Sequence, residues 1–558
     1  MVQTESFGHL LRRYRLAAGL TQKGLAARAR VALRTLTNLE GAQPVRPHGT
    51  TLRLIADALR LTADERAQLA QRLPGGAAPV PDVQAAQAVL PDYPNAFVDR
   101  ETDLAALRAI GTPAADVGTP GGVPLPPQGP RLLTLIGRPG CGKTRLAVAL
   151  AADVAGAYRE GARFMDLAGL TDPDGVTRAV ARAIGLAAWP GPARLDPLIA
   201  ALQSQQILLV LDGAEQALDP CATFVDAVLR RCPTVQLVVT SREPLQIEGE
   251  RVWRVGPLAL PAATVAVGAG GARRATLPAI RASAAVRLFA DRAARIEPTF
   301  AVSLANAGPL DAICRALGGV PLALELAAAQ IGSLTLPDLA AQLAALPPEQ
   351  PLAGAIAWSY RRLAPADSAL LRSLAPFVGG WPEAVATFCE RLTCDDPASV
   401  CERLTCDDVT SEGLRRLIAT GLVQREHREG ACSYRLPRPI RAYVLAQLRA
   451  AGAETAAYAS HLAWCRALAH GAAVRATSGA ARGAADERVT AADDNLCHAL
   501  IWALDHDPEG GRRLAAALHR YWLAVQPGAT GWARLLPLLE RVASPTPLVV
   551  PDPSSASG

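Results

Sequence analysis

The 558-residue chain almost does without lysine: it has two, Lys23 and Lys143, against fifty-five arginines. Arginine is its default cation, so a lysine kept at position 143 marks a place where a compact ammonium serves better than a broad guanidinium fork. Methionine is as scarce, and aromatic residues make up only 4% of the chain, so most cores must be aliphatic. Eleven cysteines are too sparse for a disulfide framework. The beginning, MVQTESFGHL, lacks a basic-then-apolar secretory pattern, and no run of eighteen uncharged apolar residues occurs. These absences lead to the expectation of a soluble cytoplasmic protein with reduced thiols and no membrane partner. With half its residues hydrophobic and 19% charged, the chain is also not of disordered composition, and its length suits three to five domains.

What is present is unevenly placed. Residues 1–73 hold twelve Arg or Lys against five Asp or Glu, a net +7 where the whole chain carries +6. Positive charge confined to one small segment is the electrostatic footprint of a nucleic-acid reader, here double-stranded DNA. Within 7–73 the apolar residues fall at helical spacing, among them Leu10, Leu11, Tyr14 and, after a break, Leu25, Ala26, Leu33, Leu36 and Leu39. Residues 74–94 read as a Pro/Gly/Ala-rich linker, and 111–130, with six prolines and five glycines, as an exposed loop.

From Arg131 short apolar strands alternate with amphipathic helices, the signature of a parallel sheet. The expected strands are 132–136, 163–167, 207–211 and 235–240. Directly after the first comes Gly137-Arg138-Pro139-Gly140-Cys141-Gly142-Lys143-Thr144, which fits a phosphate loop. Gly137, Gly140 and Gly142 let backbone N–H groups turn toward phosphate oxygens, Lys143 reaches the β- and γ-phosphates, and the Thr144 hydroxyl is suited to Mg²⁺. Arg145 opens the following helix and is grouped with the nucleotide-binding residues. The strand ILLVLD ends in Asp212, the second expected Mg²⁺ residue. Its neighbour is Gly213, so Glu215 is the nearest carboxylate to orient a water, and any hydrolysis should be slow. Arg242 ends the next strand with a cation suited to a terminal phosphate.

Together these pieces resemble the STAND signalling NTPases, specifically the NB-ARC-like modules of actinobacterial-type transcriptional regulators. The carriers are FVDRE at 97–101, the phosphate loop, LLVLDGAEQAL at 208–218, VVTSREPL at 238–245, RVWRVGPLALP at 251–261 and GGVPLALELAA at 318–328. The resemblance implies ATP or ADP with Mg²⁺ as ligand, Arg100 and Pro321 against the nucleotide, and Arg242 sensing its terminal phosphate. It places Asp99 where the family usually has glycine, and Gly213 where asparagine is common. Arg438, between two prolines, stands where an acidic residue or a His-Asp pair holds the inactive form, so looser nucleotide exchange is expected.

Residues 7–60 resemble an XRE-type helix-turn-helix domain. The resemblance implies that Thr21 caps the first helix of the motif, that Gln22, beside Lys23, touches a DNA phosphate, and that Arg34, Thr35 and Asn38 reach base edges. Ala491-Ala492-Asp493-Asp494-Asn495-Leu496 opens an array resembling the start of a tetratricopeptide-like sensor. The expected fold is multidomain: an all-α helix-turn-helix domain (1–73), the linker, an α/β P-loop NTPase with parallel sheet (95–262), a helical domain (280–346), a winged-helix domain (352–450), a short α-helical repeat-like region (455–540) and a disordered tail (541–558). The expected function is a nucleotide-switched, DNA-binding regulator able to form a homo-oligomer. The alternative is a STAND effector or scaffold whose N-terminal domain binds protein. One oddity is the eight-residue CERLTCDD, which occurs at 389–396 and again at 401–408 and is read as a slipped repeat lengthening a surface loop.

Overall fold

The computed structural model describes residues 7–18, 20–29, 31, 37, 39–40, 55 and 58–59 in the N-terminal part. Beyond it the structure describes 90–93, 95, 97–111, 130–167, 175–186, 195–262, 265–267, 272–392, 411–428, 431–477 and 487–525. The chain divides into two compact units, Met1–Gln84 and Ala85–Gly558.

In the first unit, helix α1 (Phe7–Ala17) and helix α2 (Gln22–Ala29) pack because their apolar residues recur at helical spacing. Leu10, Leu11 and Tyr14 meet Leu25, Ala26 and Ala29, joined by Leu39, Ile55, Ala58 and Leu59. Thr21 caps α2, its hydroxyl accepting from the Gly24 N–H at 3.0 Å. Arg34, Thr35 and Asn38 lie outside the described residues.

The second unit opens with α3 (Glu101–Gly111). Next come β1 (Leu132–Ile136), α4 (Lys143–Val154), β2 (Ala162–Asp166), α5 (Gly175–Ala183), α6 (Leu195–Leu202), β3 (Leu208–Asp212), α7 (Leu218–Arg231), β4 (Gln236–Ser241) and β5 (Glu250–Arg254). The five strands form one parallel sheet in the order β2-β3-β4-β1-β5. Leu208 and Val210 of β3 face a core shared with α4, while Leu209 and Leu211 face the opposite core with α5, α6 and α7. Both faces of the strand are covered, which is why it reads as an unbroken apolar run. Strand β5 was not foreseen. It is an edge strand with one neighbour, its residues Glu250-Arg251-Val252-Trp253-Arg254 are exposed or half-buried, and their mixed character hides them among loops.

After a short hairpin, β6 (Val265–Val267) with β7 (Ala272–Arg274), the described chain is mostly helical. In order come α8 (Leu277–Ala282), α9 (Ala284–Ile296), α10 (Ala307–Ala316), α11 (Pro321–Ala328), α12 (Leu336–Ala344), α13 (Pro351–Arg361), α14 (Pro365–Leu374), α15 (Glu383–Leu392) and α16 (Glu412–Ala419). A second hairpin, β8 (Gln424–Arg428) with β9 (Ala431–Arg435), precedes α17 (Arg438–Ala450), α18 (Glu454–Thr477), α19 (Glu487–Ala491), α20 (Asp493–His506) and α21 (Pro508–Val525). One continuous apolar core runs from Leu258 to Tyr521 through these helices. Cys389, in the first copy of the repeat, is 1% exposed in that core, and burial pushes its thiol up to about 12. The repeat therefore starts inside a packed helix and not on a surface loop. Its second copy lies outside the described residues. Among the described residues no helix is long and apolar enough to cross a membrane.

Candidate functional site

A parallel sheet gathers ligands where neighbouring strands leave in opposite directions, at their carboxyl ends. Here β1 sits between β4 and β5, and the residues that follow β1, β3 and β4 meet in one cleft closed on its far side by the helical region. The cleft is lined by Arg100, Gly140, Gly142, Lys143, Thr144, Arg145, Asp212, Glu215, Arg242 and Pro321, together with Asp166, Glu325 and the stretch from Arg435 to Pro439. All the residues expected at a nucleotide except Gly137 are therefore brought to one place.

Gly137 has a backbone role. A Cβ there would lie 2.5 Å from the Val255 carbonyl oxygen, so only glycine lets the loop leave β1 against the end of β5. Gly142 has φ +96° with open space around the position of a Cβ, and it precedes α4, whose first N–H groups have no partner within the helix. Lys143 Nζ donates to the carbonyl oxygens of Gly137 (2.8 Å) and Arg138 (3.3 Å). The ammonium thus lies across the mouth of the loop, where phosphate oxygens would meet it.

Asp212 is 1% exposed. Its Oδ1 accepts from the Thr144 hydroxyl at 2.6 Å and the Thr240 hydroxyl at 2.5 Å. A threonine that donates its proton to this carboxylate turns its lone pairs away from it, which is the arrangement a hard cation needs from a neutral oxygen. The residues present therefore fit Mg²⁺, which Thr144 would ligate directly with Asp212 behind it. Glu215 lies 3.5 Å from Arg242, whose side chain is 59% exposed.

Arg100 is nearly buried and joins two backbone carbonyls to a carboxylate. It donates to the carbonyls of Cys141 (3.1 Å) and Gly256 (2.5 Å) and pairs with Asp103 at 2.8 Å. Beside it, Asp99 adopts φ +60°, the left-handed conformation for which glycine is the easier residue. The Asp99 carboxylate pairs with Arg287 at 2.8 Å. Arg145 pairs with Glu325 at 3.7 Å and lies 5.4 Å from the Tyr93 ring centre. Burial lowers its pKa from the ordinary arginine value and the Glu325 charge works against that shift. Pro321 opens α11, and the next residue, Leu322, donates its N–H to the Gly140 carbonyl at 3.2 Å, pinning the phosphate loop to the helical region.

The helical side also contributes residues not foreseen at the site. Arg438 Nη2 donates to Asp212 Oδ2 at 2.9 Å, to the Asp212 carbonyl at 2.9 Å and to Asp166 Oδ1. Burial opposes its charge, but Asp212 and Asp166 outweigh that and raise its pKa. At this position the arginine grips the sheet directly. Arg435 lies 5.5 Å from the Tyr93 ring centre, on which Arg145 also converges. In the first unit, Gln22 is half-buried and donates to Glu40 Oε2 at 2.9 Å, where Arg15 also binds at 2.7–2.8 Å. Its amide therefore serves a buried glutamate of its own unit. Lys23 is exposed.

The helix-turn-helix domain family matches residues 6–69. A Mycobacterium tuberculosis protein provisionally named an HTH-type transcriptional regulator is 34% identical over 406 residues, which is 70% of this chain and 42% of that one. A second, uncharacterized protein of the same species is 33% identical over 347 residues, 60% of this chain and 81% of its own length. The chain belongs to the family of these mycobacterial proteins. It joins a helix-turn-helix unit to an α/β module that carries a phosphate-loop motif beside a five-stranded parallel sheet. A Pyrococcus horikoshii STAND protein with a tetratricopeptide repeat sensor aligns in structure with TM-score 0.43 at 13% identity, over 84% of this chain and 61% of that one. The chain spans less than half the length of the HTH-named relatives it matches.

Proposed function

We propose that this chain is a cytoplasmic DNA-binding regulator whose grip on DNA is set by the adenine nucleotide held in the cleft. The observation that carries the reading is the meeting of Lys143, Thr144 and Asp212 at the carboxyl ends of β1 and β3, beside Gly142, where the space a Cβ would take is open. Bound Mg²⁺ would neutralise the phosphate chain and fix its geometry. Lys143 would exchange its loop carbonyls for phosphate oxygens, and Thr144 and Asp212 would hold the metal and its water shell. Arg100 and Pro321 would fix the loop and the helical region around the nucleotide. Glu215, the nearest carboxylate after Asp212 able to orient a water, pairs with Arg242, so turnover in this arrangement should be slow and the nucleotide acts as a signal rather than a fuel.

The basic first unit would supply the DNA contacts, through Lys23 and, beyond the described residues, Arg34, Thr35 and Asn38. Nucleotide-dependent association of copies would raise the effective concentration of these weak readers. The test is to measure gel-filtration volume and DNA affinity for the apo, ADP-bound and ATP·Mg²⁺-bound protein. The expected result is a larger species and tighter DNA binding with ATP, and identical behaviour in all three states would reject the switch. Salt separates this reading from a protein-binding scaffold, because log affinity for DNA must fall linearly and steeply with log salt.

A further inference from the structure

Two departures from the family pattern, Gly213 and Arg438, meet in space. Arg438 is the first residue of α17 and stands between Pro437 and Pro439, whose fixed backbone aims it at the sheet. Its guanidinium lies over Gly213: a Cβ at 213 would fall 1.5 Å from Arg438 Nη1 and 2.2 Å from its Cζ. The arginine can occupy this place only because position 213 has no side chain. Gly213 also has φ +80°, which glycine adopts without strain.

What the guanidinium occupies follows from Asp212. One oxygen of that carboxylate is committed to the hydroxyls of Thr144 and Thr240. The other, Oδ2, is left to serve a metal's water shell, and Arg438 Nη2 binds it at 2.9 Å. Asp166, paired in register with Asp212 on the neighbouring strand, holds the same nitrogen. A guanidinium and a divalent cation brought to one carboxylate oxygen repel each other, so the arginine held there disfavours the metal beside it.

We infer that Arg438 stands in for the metal, so that this form of the cleft takes a nucleoside diphosphate without Mg²⁺, and a Mg²⁺-bound triphosphate enters only when Arg438 leaves. The inference rests on the nucleotide reading above and adds which charge state of the ligand the cleft accepts. One guanidinium charge beside Lys143 suits a diphosphate; a triphosphate carries more negative charge and calls for the divalent ion.

The probe is a fluorescent ADP analogue titrated into the full chain in excess EDTA and in excess MgCl₂. The parent protein should bind it with affinities that differ less than about threefold between the two buffers, while Arg438→Gln should gain at least about tenfold from Mg²⁺. Gly213→Asn should acquire the same metal dependence with Arg438 still present, because asparagine tolerates a positive φ and its side chain displaces the guanidinium. Circular dichroism and thermal melting without nucleotide establish that each variant is folded. A parent as metal-dependent as its variants, or variants as indifferent to metal as the parent, would overturn the role of Arg438 and leave the nucleotide reading standing. A folded parent that binds the analogue in neither buffer would overturn the nucleotide reading, and this inference with it.

Discussion

The two walls of the cleft are made differently. The sheet wall consists of residues at or just beyond strand ends: the phosphate loop after β1, Asp212 at the end of β3, Arg242 after β4. Their positions are fixed by strand registers and by glycines that no other residue could replace, as at Gly137. The helical wall is made of arginines, each bound to a partner distant in the chain. Arg292 holds Glu325, Arg438 holds Asp166 and Asp212, and Arg441 donates to the carbonyls of Ala375, Pro376 and Phe377 at 2.8–3.3 Å. Of these arginines Arg438 alone reaches across to the sheet, so its pairings need the two walls together, whereas the chemistry on the strand ends does not. One wall is therefore suited to holding a ligand and the other to reporting on it.

The largest effect should come from the sheet wall. Lys143→Ala removes the ammonium at the loop mouth. Calorimetry should show adenine-nucleotide binding weakened more than about 100-fold, on the order of 3 kcal/mol. The first unit should keep its helical signal, because its core of Leu10, Leu11, Leu25 and Ile55 is its own. Retained binding in the variant would mean that the arginines of the helical wall hold the phosphates, and the division of labour between the walls would be reversed.

The same contrast governs what could be read from sequence. The sheet wall was legible because its chemistry is local: a glycine-rich run ending in Lys143-Thr144 directly after an apolar strand, and a carboxylate at the end of another. Strand β5 escaped because an edge strand need not be apolar on both faces, and Glu250 and Arg251 look like loop residues. Apart from Pro321, the helical wall was legible only as a set of departures. Arg438 was visible as an unusual residue, but its partners lie 272 and 226 positions away, a separation over which charge patterns predict nothing. Asp99 was equally visible where glycine is usual. That it keeps the left-handed backbone, φ +60°, and pairs with Arg287 is a fact of tertiary structure alone.

A smaller effect should come from beneath the helical wall, where protonation can act on packing. His461 is fully buried, stacks edge-on against Phe377 at 4.6 Å and shares Asn495 Oδ1 at 3.2 Å with the Val378 N–H. His498 lies 5.9 Å away. Burial, and then charges including Arg441, depress the two rings to about 3 and about 4. Both are neutral in the fold, while in the unfolded chain they protonate near pH 6.5. The stability they contribute is complete above that pH and is lost as pH falls toward their folded values, at most on the order of 1 kcal/mol per pH unit for each ring. Urea unfolding at pH 7, 6 and 5 should show this slope, and His498→Leu should reduce it. A stability that does not change over this range would show that water reaches both rings, and the wall would be looser than its packing implies.

The smallest expected effect is at the bolt between the walls. Arg182 of α5, on the sheet side, pairs with Asp494 at 3.1 Å and Asp493 at 3.4 Å, the first residues of α20 on the helical side. Asp494 and then Asp493 raise the Arg182 pKa, but its side chain is 32% exposed, so screening limits the strength of the contact. Arg182→Ala should cost only about 0.5–1 kcal/mol of global stability, less in high salt, and a double-mutant cycle with Asp494→Ala should recover most of that as coupling. The consequence for the cleft should be the more visible one. If the helical wall reports by opening, loosening this bolt frees Arg438 more often, and hydrogen exchange at the Gly213 amide, over which the Arg438 guanidinium lies, should quicken in the variant. Unchanged exchange there, with the coupling energy confirmed, would mean that the walls are joined through α11 and the phosphate loop instead, and that the arginines decorate a cleft that does not open along this seam.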